Sequence, residues 1–158
     1  MAMHPKLQKQ TDDHIKRFGR TVIGVFDDGS GEVPFMYTIG NCHKGGTMPE
    51  LLLVGICTEQ GRDLLNVASD VQNQRERAIE DGELVSIGGQ FPLKAIDVSN
   101  AHVRDEYTIQ AGQYYGDEGY PVIQLLMCDK EGRFPGEPKC ARPYSGQPLL
   151  NKKPRARK

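Results

Sequence analysis

The sequence predicts an α+β domain of about six mostly antiparallel strands, arranged in a sheet that can be split-barrel-like, with two or three helices. Three observations carry that prediction. Two β-type runs, Thr21–Phe26 and Pro34–Ile39, flank the turn cluster Asp27-Asp28-Gly29-Ser30-Gly31 and read as an antiparallel hairpin. These strands precede the first long helical pattern, which favours an antiparallel sheet over a doubly wound one. Glycine (18 residues) and proline (10) make up about a sixth of the 158 residues, against a usual roughly 12 %. That excess points to short elements and many turns.

Taken in order, Leu7, Thr11, Ile15 and Phe18 recur at four- and three-residue steps and Gly19 closes the run, so residues 5–18 read as an amphipathic helix. Gly24, inside the first strand, marks a close backbone approach. Leu51–Ile56 (LLLVGI) is the most continuous apolar run and should be a central strand covered on both faces. Thr58 is placed to cap a long helix with Glu59 in its first turn and Gly82 as its stop. Its apolar stripe is Leu64, Leu65, Ala68, Val71 and later Ala78 and Ile79, while the middle, Gln72–Arg77, is wholly polar and reads as a solvated face. Glu83–Ile87 and Leu93–Val98 form two more strands. Ser99 or Asn100 caps a second helix with the stripe Val103, Tyr107, Ala111, Tyr114 and Tyr115, ended by Gly116 and Gly119. Pro121–Cys128 is the last strong strand. The segment after Asp129, rich in Pro and Gly, should wrap the surface, pinned by Phe134, Tyr144 and Leu149-Leu150.

The totals bound the function classes. The expected organisation is one α+β domain over 1–151 and a disordered basic tail over 152–158. That tail carries five basic residues and no acid, which leaves 15 basic against 21 acidic residues in 1–151, a formal charge of −6. An acidic body argues against nucleic-acid binding by the domain, so nucleic acid is expected only weakly, through the tail. There is no run of roughly 18 apolar residues, hence no membrane span is expected. The first residues lack the apolar core of an export signal, which leads to the expectation of a cytoplasmic protein. Cys42, Cys57, Cys128 and Cys140 form no C-x-x-C pair and are expected as reduced thiols, with spacing that does not support zinc and no metal site expected.

The stretch that organises the chain is Val33–Ile56. Between its two apolar runs lies the polar loop Gly40-Asn41-Cys42-His43-Lys44-Gly45-Gly46, the usual place for chemistry on a strand scaffold. Tyr37, Thr38, Gly40, Asn41, His43, Glu50 and Arg133 are the candidate ligand-binding residues. Thr38, Asn41 and the amides of Gly40 to Gly46 would form a nest for a phosphate or carboxylate; the plain alternative makes Tyr37 and Thr38 ordinary core residues. Glu50, at the start of a buried strand, is either satisfied by backbone amides or paired with Arg133. Such a pair would pin the C-terminal segment to the sheet, or both residues would face a ligand. Cys42-His43 is a poor nucleophile–base pair, because neighbours on an extended segment point to opposite sides; His102 could serve from elsewhere, but nothing in the spacing demands it. Tyr107, Tyr114 and Tyr115 read as packing, or as a face suited to a nucleotide or flavin.

Several segments carry a resemblance: Tyr37-Thr38-Ile39-Gly40, Pro49-Glu50-Leu51, Tyr115-Gly116, Pro121-Val122-Ile123-Gln124, Asp129-Lys130-Glu131-Gly132-Arg133-Phe134-Pro135 and Gln147-Pro148. Their order over roughly 12–150 resembles a bacterial and phage family known only as domain of unknown function 4262. The resemblance implies residues to examine but no activity. Two positions depart from the family pattern: its histidine before Pro-Glu is Met48 here, and its tryptophan after Phe-Pro is Gly136.

The leading functional expectation is a small anionic ligand of nucleotide or flavin type at the Tyr37–Pro49 loop, with Arg133 alongside. It draws on the layout of flavin-binding split barrels, an analogy of fold alone. The alternative is a non-enzymatic protein-interaction or inhibitor protein, phage-encoded, with a detachable basic tail. A homodimer is left open, and whether any reaction follows binding is not fixed by the sequence.

Overall fold

A computed structural model of the chain describes residues 5–25, 33–42, 46–55, 59–116 and 119–151. Phe26 and the turn cluster, His43 to Gly45, the Thr58 cap and the tail 152–158 lie outside the described residues.

The helix α1 (Pro5–Phe18) closes as its spacing predicts: the Gly19 N–H donates to Ile15 O at 2.6 Å, and Gly19 takes a left-handed φ of +88°. The strand β1 (Thr21–Val25) then pairs antiparallel with β2 (Phe35–Ile39), with Ile23 opposite Tyr37. β2 pairs antiparallel with β3 (Glu50–Val54), every residue of which is buried, as expected of its apolar run.

The helix α2 (Glu59–Gln74) ends eight residues before Gly82. Gln72 is fully buried, contrary to the solvated face expected of Gln72–Arg77. Its Nε2 donates to Pro49 O at 3.2 Å and its Oε1 accepts from Ile79 N at 3.0 Å, so the carboxamide closes two loops at once. The strands β4 (Leu84–Val85) and β5 (Leu93–Asp97) follow.

The single helix expected from the tyrosine stripe is two, α3 (Ala101–Tyr107) and α4 (Ile109–Tyr115). Thr108 breaks it. Its ψ of +49° leaves the helical range, although its N–H still donates to Arg104 O at 2.9 Å. Its hydroxyl adds a bond to Arg104 O at 2.6 Å and meets the Tyr120 hydroxyl at 2.6 Å, and the N–H of Gln110 turns to the Tyr37 hydroxyl. Asn100 caps α3 through Oδ1, which accepts from His102 N and Val103 N.

The strand β6 (Val122–Leu126) inserts between β3 and β5, so the sheet runs β1-β2-β3-β6-β5-β4. Four neighbouring pairs are antiparallel and β3–β6 is parallel. The order is linear with β1 and β4 at its edges, so the described residues form an open sheet rather than a barrel. One face packs Tyr37, Ile39, Leu52, Val54 and Val122 against Ile15, Ala111 and Tyr115; the other packs Met36, Leu51, Leu53, Ile123 and Leu125 against Leu65 and Ala68 of α2.

Candidate functional site

The carboxylate of Glu50 is the centre of a buried cluster. The Thr38 hydroxyl donates to Oε1 at 2.8 Å and the Asn41 N–H to the same oxygen at 3.2 Å. The N–H groups of Gly40 (3.0 Å) and Cys42 (3.2 Å) and the Tyr115 hydroxyl donate to Oε2. Five donors converge on two oxygens. Burial pushes the Glu50 carboxyl up from its ordinary value, and these hydrogen bonds oppose that push. Burial, Glu50's charge and the bond to it push the Tyr115 hydroxyl well above the usual phenol range.

This arrangement settles how Glu50 is satisfied. Backbone amides and hydroxyls do it, and Arg133 does not. The nest expected from the glycine-rich loop exists at Gly40, Asn41 and Cys42, but the chain's own carboxylate fills it. An incoming anion would have to displace Glu50. Tyr37, Thr38, Asn41 and Glu50 are each at most 2 % exposed. The Tyr37 hydroxyl accepts from Gln110 N at 3.1 Å, and burial raises its titration above the phenol range. Asn41 Nδ2 donates to Thr38 Oγ1 (3.2 Å) and Ser69 Oγ (2.8 Å), whereas its Oδ1 has no partner among the described residues. Cys42 is buried, with Sγ donating to Gly46 O at 3.4 Å, and His102 is exposed at the start of α3. His43 lies outside the described residues.

Arg133 belongs to the opposite end of the sheet. Glu50 pairs with Val122 at the start of β6, while Arg133 follows its end, so the length of that strand, about 16 Å, separates the two ends. Its Nε donates to Asp129 Oδ2 at 3.2 Å. Burial raises the Asp129 carboxyl, but the N–H groups of Arg133, Ala141 and Glu131 and the Arg133 side chain pull it down to about 2. The C-terminal segment is pinned by two glutamines instead. Gln124 Nε2 donates to Pro148 O (2.6 Å) and its Oε1 accepts from Leu150 N (3.0 Å); Gln147 exchanges bonds with Met127 N and O at 2.9 and 2.7 Å.

The arginine that stands at an open cleft is Arg20, at the junction of α1 and β1. Nε donates to Asn66 Oδ1 (3.0 Å), and Nη2 to Asn66 O (3.2 Å) and Asp70 Oδ1 (2.6 Å). Its side chain is 17 % exposed, and among the described residues Nη1 makes no hydrogen bond. The cleft, about 120 Å³, is lined by Arg20, Arg62, His14, Thr21, Val22 and Asn66. Sequence reasoning passed over Arg20. The signal available was Asn66 and Asp70, four residues apart on one helix face and matched to a guanidinium.

The fold and this site define an α+β domain on an open mixed sheet, organised round a buried glutamate held by its own strand-end amides. Residues 14–141 match the family model described as a domain of unknown function (DUF4262), and the chain belongs to that family. Thr38, Gly40 and Tyr115 meet at Glu50, while Gln124 and Gln147 hold the C-terminal segment. No curated protein and no solved structure matches the chain significantly. No helix among the described residues is long and apolar enough to cross a membrane.

Proposed function

We propose that the protein binds a small anionic molecule of nucleotide or flavin type, its anionic group held by Arg20 and Arg62 beside His14. The observation that carries this reading is the state of Arg20, a largely buried guanidinium fixed through Nε and Nη2 with Nη1 left for a ligand. A donor fork ordered before binding loses little freedom when the anion arrives. Arg62 supplies the second positive charge, which the site needs because Asp70 already offsets Arg20. The Glu50 cluster supports the site from behind by fixing the strand end that packs on Arg20.

The test is calorimetric titration of the full chain with inorganic phosphate, nucleotides and flavin mononucleotide. At least one phosphate-bearing compound is expected to bind saturably, and Arg62→Glu and Arg20→Lys are each expected to weaken it about tenfold or more. Arg62 is exposed, so an unchanged thermal midpoint for Arg62→Glu keeps folding out of the comparison. Absence of binding, or binding that neither variant alters, would sink this reading.

One observation favours the rival, a protein-interaction role. β1 is a sheet edge, where an extended segment of a partner adds as a further strand. A protein that ignores phosphate compounds but loses a partner when 152–158 are removed would belong to that class.

A further inference from the structure

Beside the cationic cleft lies a groove of about 360 Å³, lined by Gln10, Thr11 and His14 of α1, Thr21 to Gly24 of β1 and Gln110 of α4. The two cavities share His14, Thr21 and Val22 and so meet around the edge strand. Their chemistry differs. The small one has two guanidinium groups; the large one has two carboxamides, two hydroxyls and the apolar side chain of Ile23, and His14 is its one titratable residue. Gly24 adds no side chain to that lining.

We infer that the ligand is a nucleoside monophosphate, an assignment that rests on the anion site proposed above. The phosphate sits between Arg20 and Arg62, and the nucleoside passes His14 into the groove along β1. A base suits this groove because it is flat, uncharged and rimmed with donors and acceptors. Ile23 and the backbone of β1 give it an apolar wall, and a glutamine carboxamide offers a donor and an acceptor, the pattern that pairs with a base edge. The sugar hydroxyls then face the backbone of the edge strand. A molecule with a second charge on its body would find no partner in the groove other than His14.

The experiment compares inorganic phosphate, ribose 5-phosphate, flavin mononucleotide and the four common nucleoside monophosphates on the full chain by calorimetry. One nucleoside monophosphate is expected to bind about tenfold or more tighter than ribose 5-phosphate. Gln10→Ala and Gln110→Ala are expected to remove most of that margin while leaving inorganic phosphate binding unchanged. Equal binding of ribose 5-phosphate and every nucleotide, with sensitivity to Arg62→Glu, would overturn the nucleoside assignment but leave the anion site standing. A preference for flavin mononucleotide would also overturn it. If no phosphate compound binds at all, the anion site fails together with it. Glutamine variants that keep the wild-type thermal midpoint and the wild-type nucleotide preference would remove the groove from recognition.

Discussion

Gly40 lies against Arg20: a Cβ built on Gly40 would stand 2.7 Å from Arg20 Cα and 2.5 Å from Gly19 O. The end of β2 therefore packs directly on the junction that carries the cationic cleft. Gly40 also has φ +121°, a conformation that L side chains rarely adopt. One residue thus joins the buried glutamate, through its N–H, to Arg20, through its missing side chain.

Gly40→Ala combines a backbone clash with a disfavoured φ. It is expected to lower stability by about 2–4 kcal/mol, read as a shift in the urea midpoint. In whatever fraction stays folded, phosphate affinity should fall as well, because the Arg20 backbone has to move. A variant with wild-type stability would show that the strand end yields without resistance.

Replacing Glu50 by alanine leaves the N–H groups of Gly40, Asn41 and Cys42 buried without their acceptor. The expected loss is about 3 kcal/mol or more. Glu50→Gln should also destabilise, since its amide nitrogen turns two donors toward donors. Tyr115→Phe removes a single hydroxyl bonded to Glu50 and Gly40 and should cost about 1–2 kcal/mol. Chemical denaturation of the three variants gives the order; Tyr115→Phe as the most harmful would contradict a cluster centred on the carboxylate.

Asp129 and Glu50 give opposite pH dependences. The Asp129 carboxyl is held down to about 2, so its contribution is present above the ordinary aspartate value and lost as pH falls from about 4 to 2. Glu50 is shifted up; its protonated form is favoured on folding, so its contribution is complete below the ordinary glutamate value and declines as pH rises through its own. Asp129→Asn should flatten the acid limb of stability against pH between 4 and 2. An unchanged limb would place acid sensitivity elsewhere.

Gln124 is fully buried and holds Pro148 and Leu150 through opposite ends of one carboxamide. Gln124→Leu keeps the approximate volume and loses both bonds. It should lower stability by about 2 kcal/mol and expose the segment around 147–150 to limited proteolysis before the sheet is cut. Arg133→Ala, at the half-exposed partner of Asp129, should do so less. The reverse order would restore Arg133 as the pin.

What could be read from the chain follows from what is local. Periodicity places α1, the β1–β2 pair, β3 and β6, because alternation and glycine stops act over a few residues. The break at Thr108 escapes such reading, since the contacts around it are with Tyr120, twelve residues on, and with Tyr37, which takes the N–H of Gln110. So does Gln72, polar in the sequence and buried in the fold, because its partners Pro49 and Ile79 come from two other segments.

The sequence by itself determined the α+β class, the buried central strand and Glu50 as an acid needing partners. Tertiary structure alone decided who those partners are. Five donors reach Glu50 from the end of β2, the loop after it and the last residue of α4. Strand order alone placed Arg133 at the far end of the sheet and Arg20 at the cleft. A desolvated carboxylate takes whichever donors the fold brings within about 3 Å, and the fold brought backbone amides rather than a guanidinium.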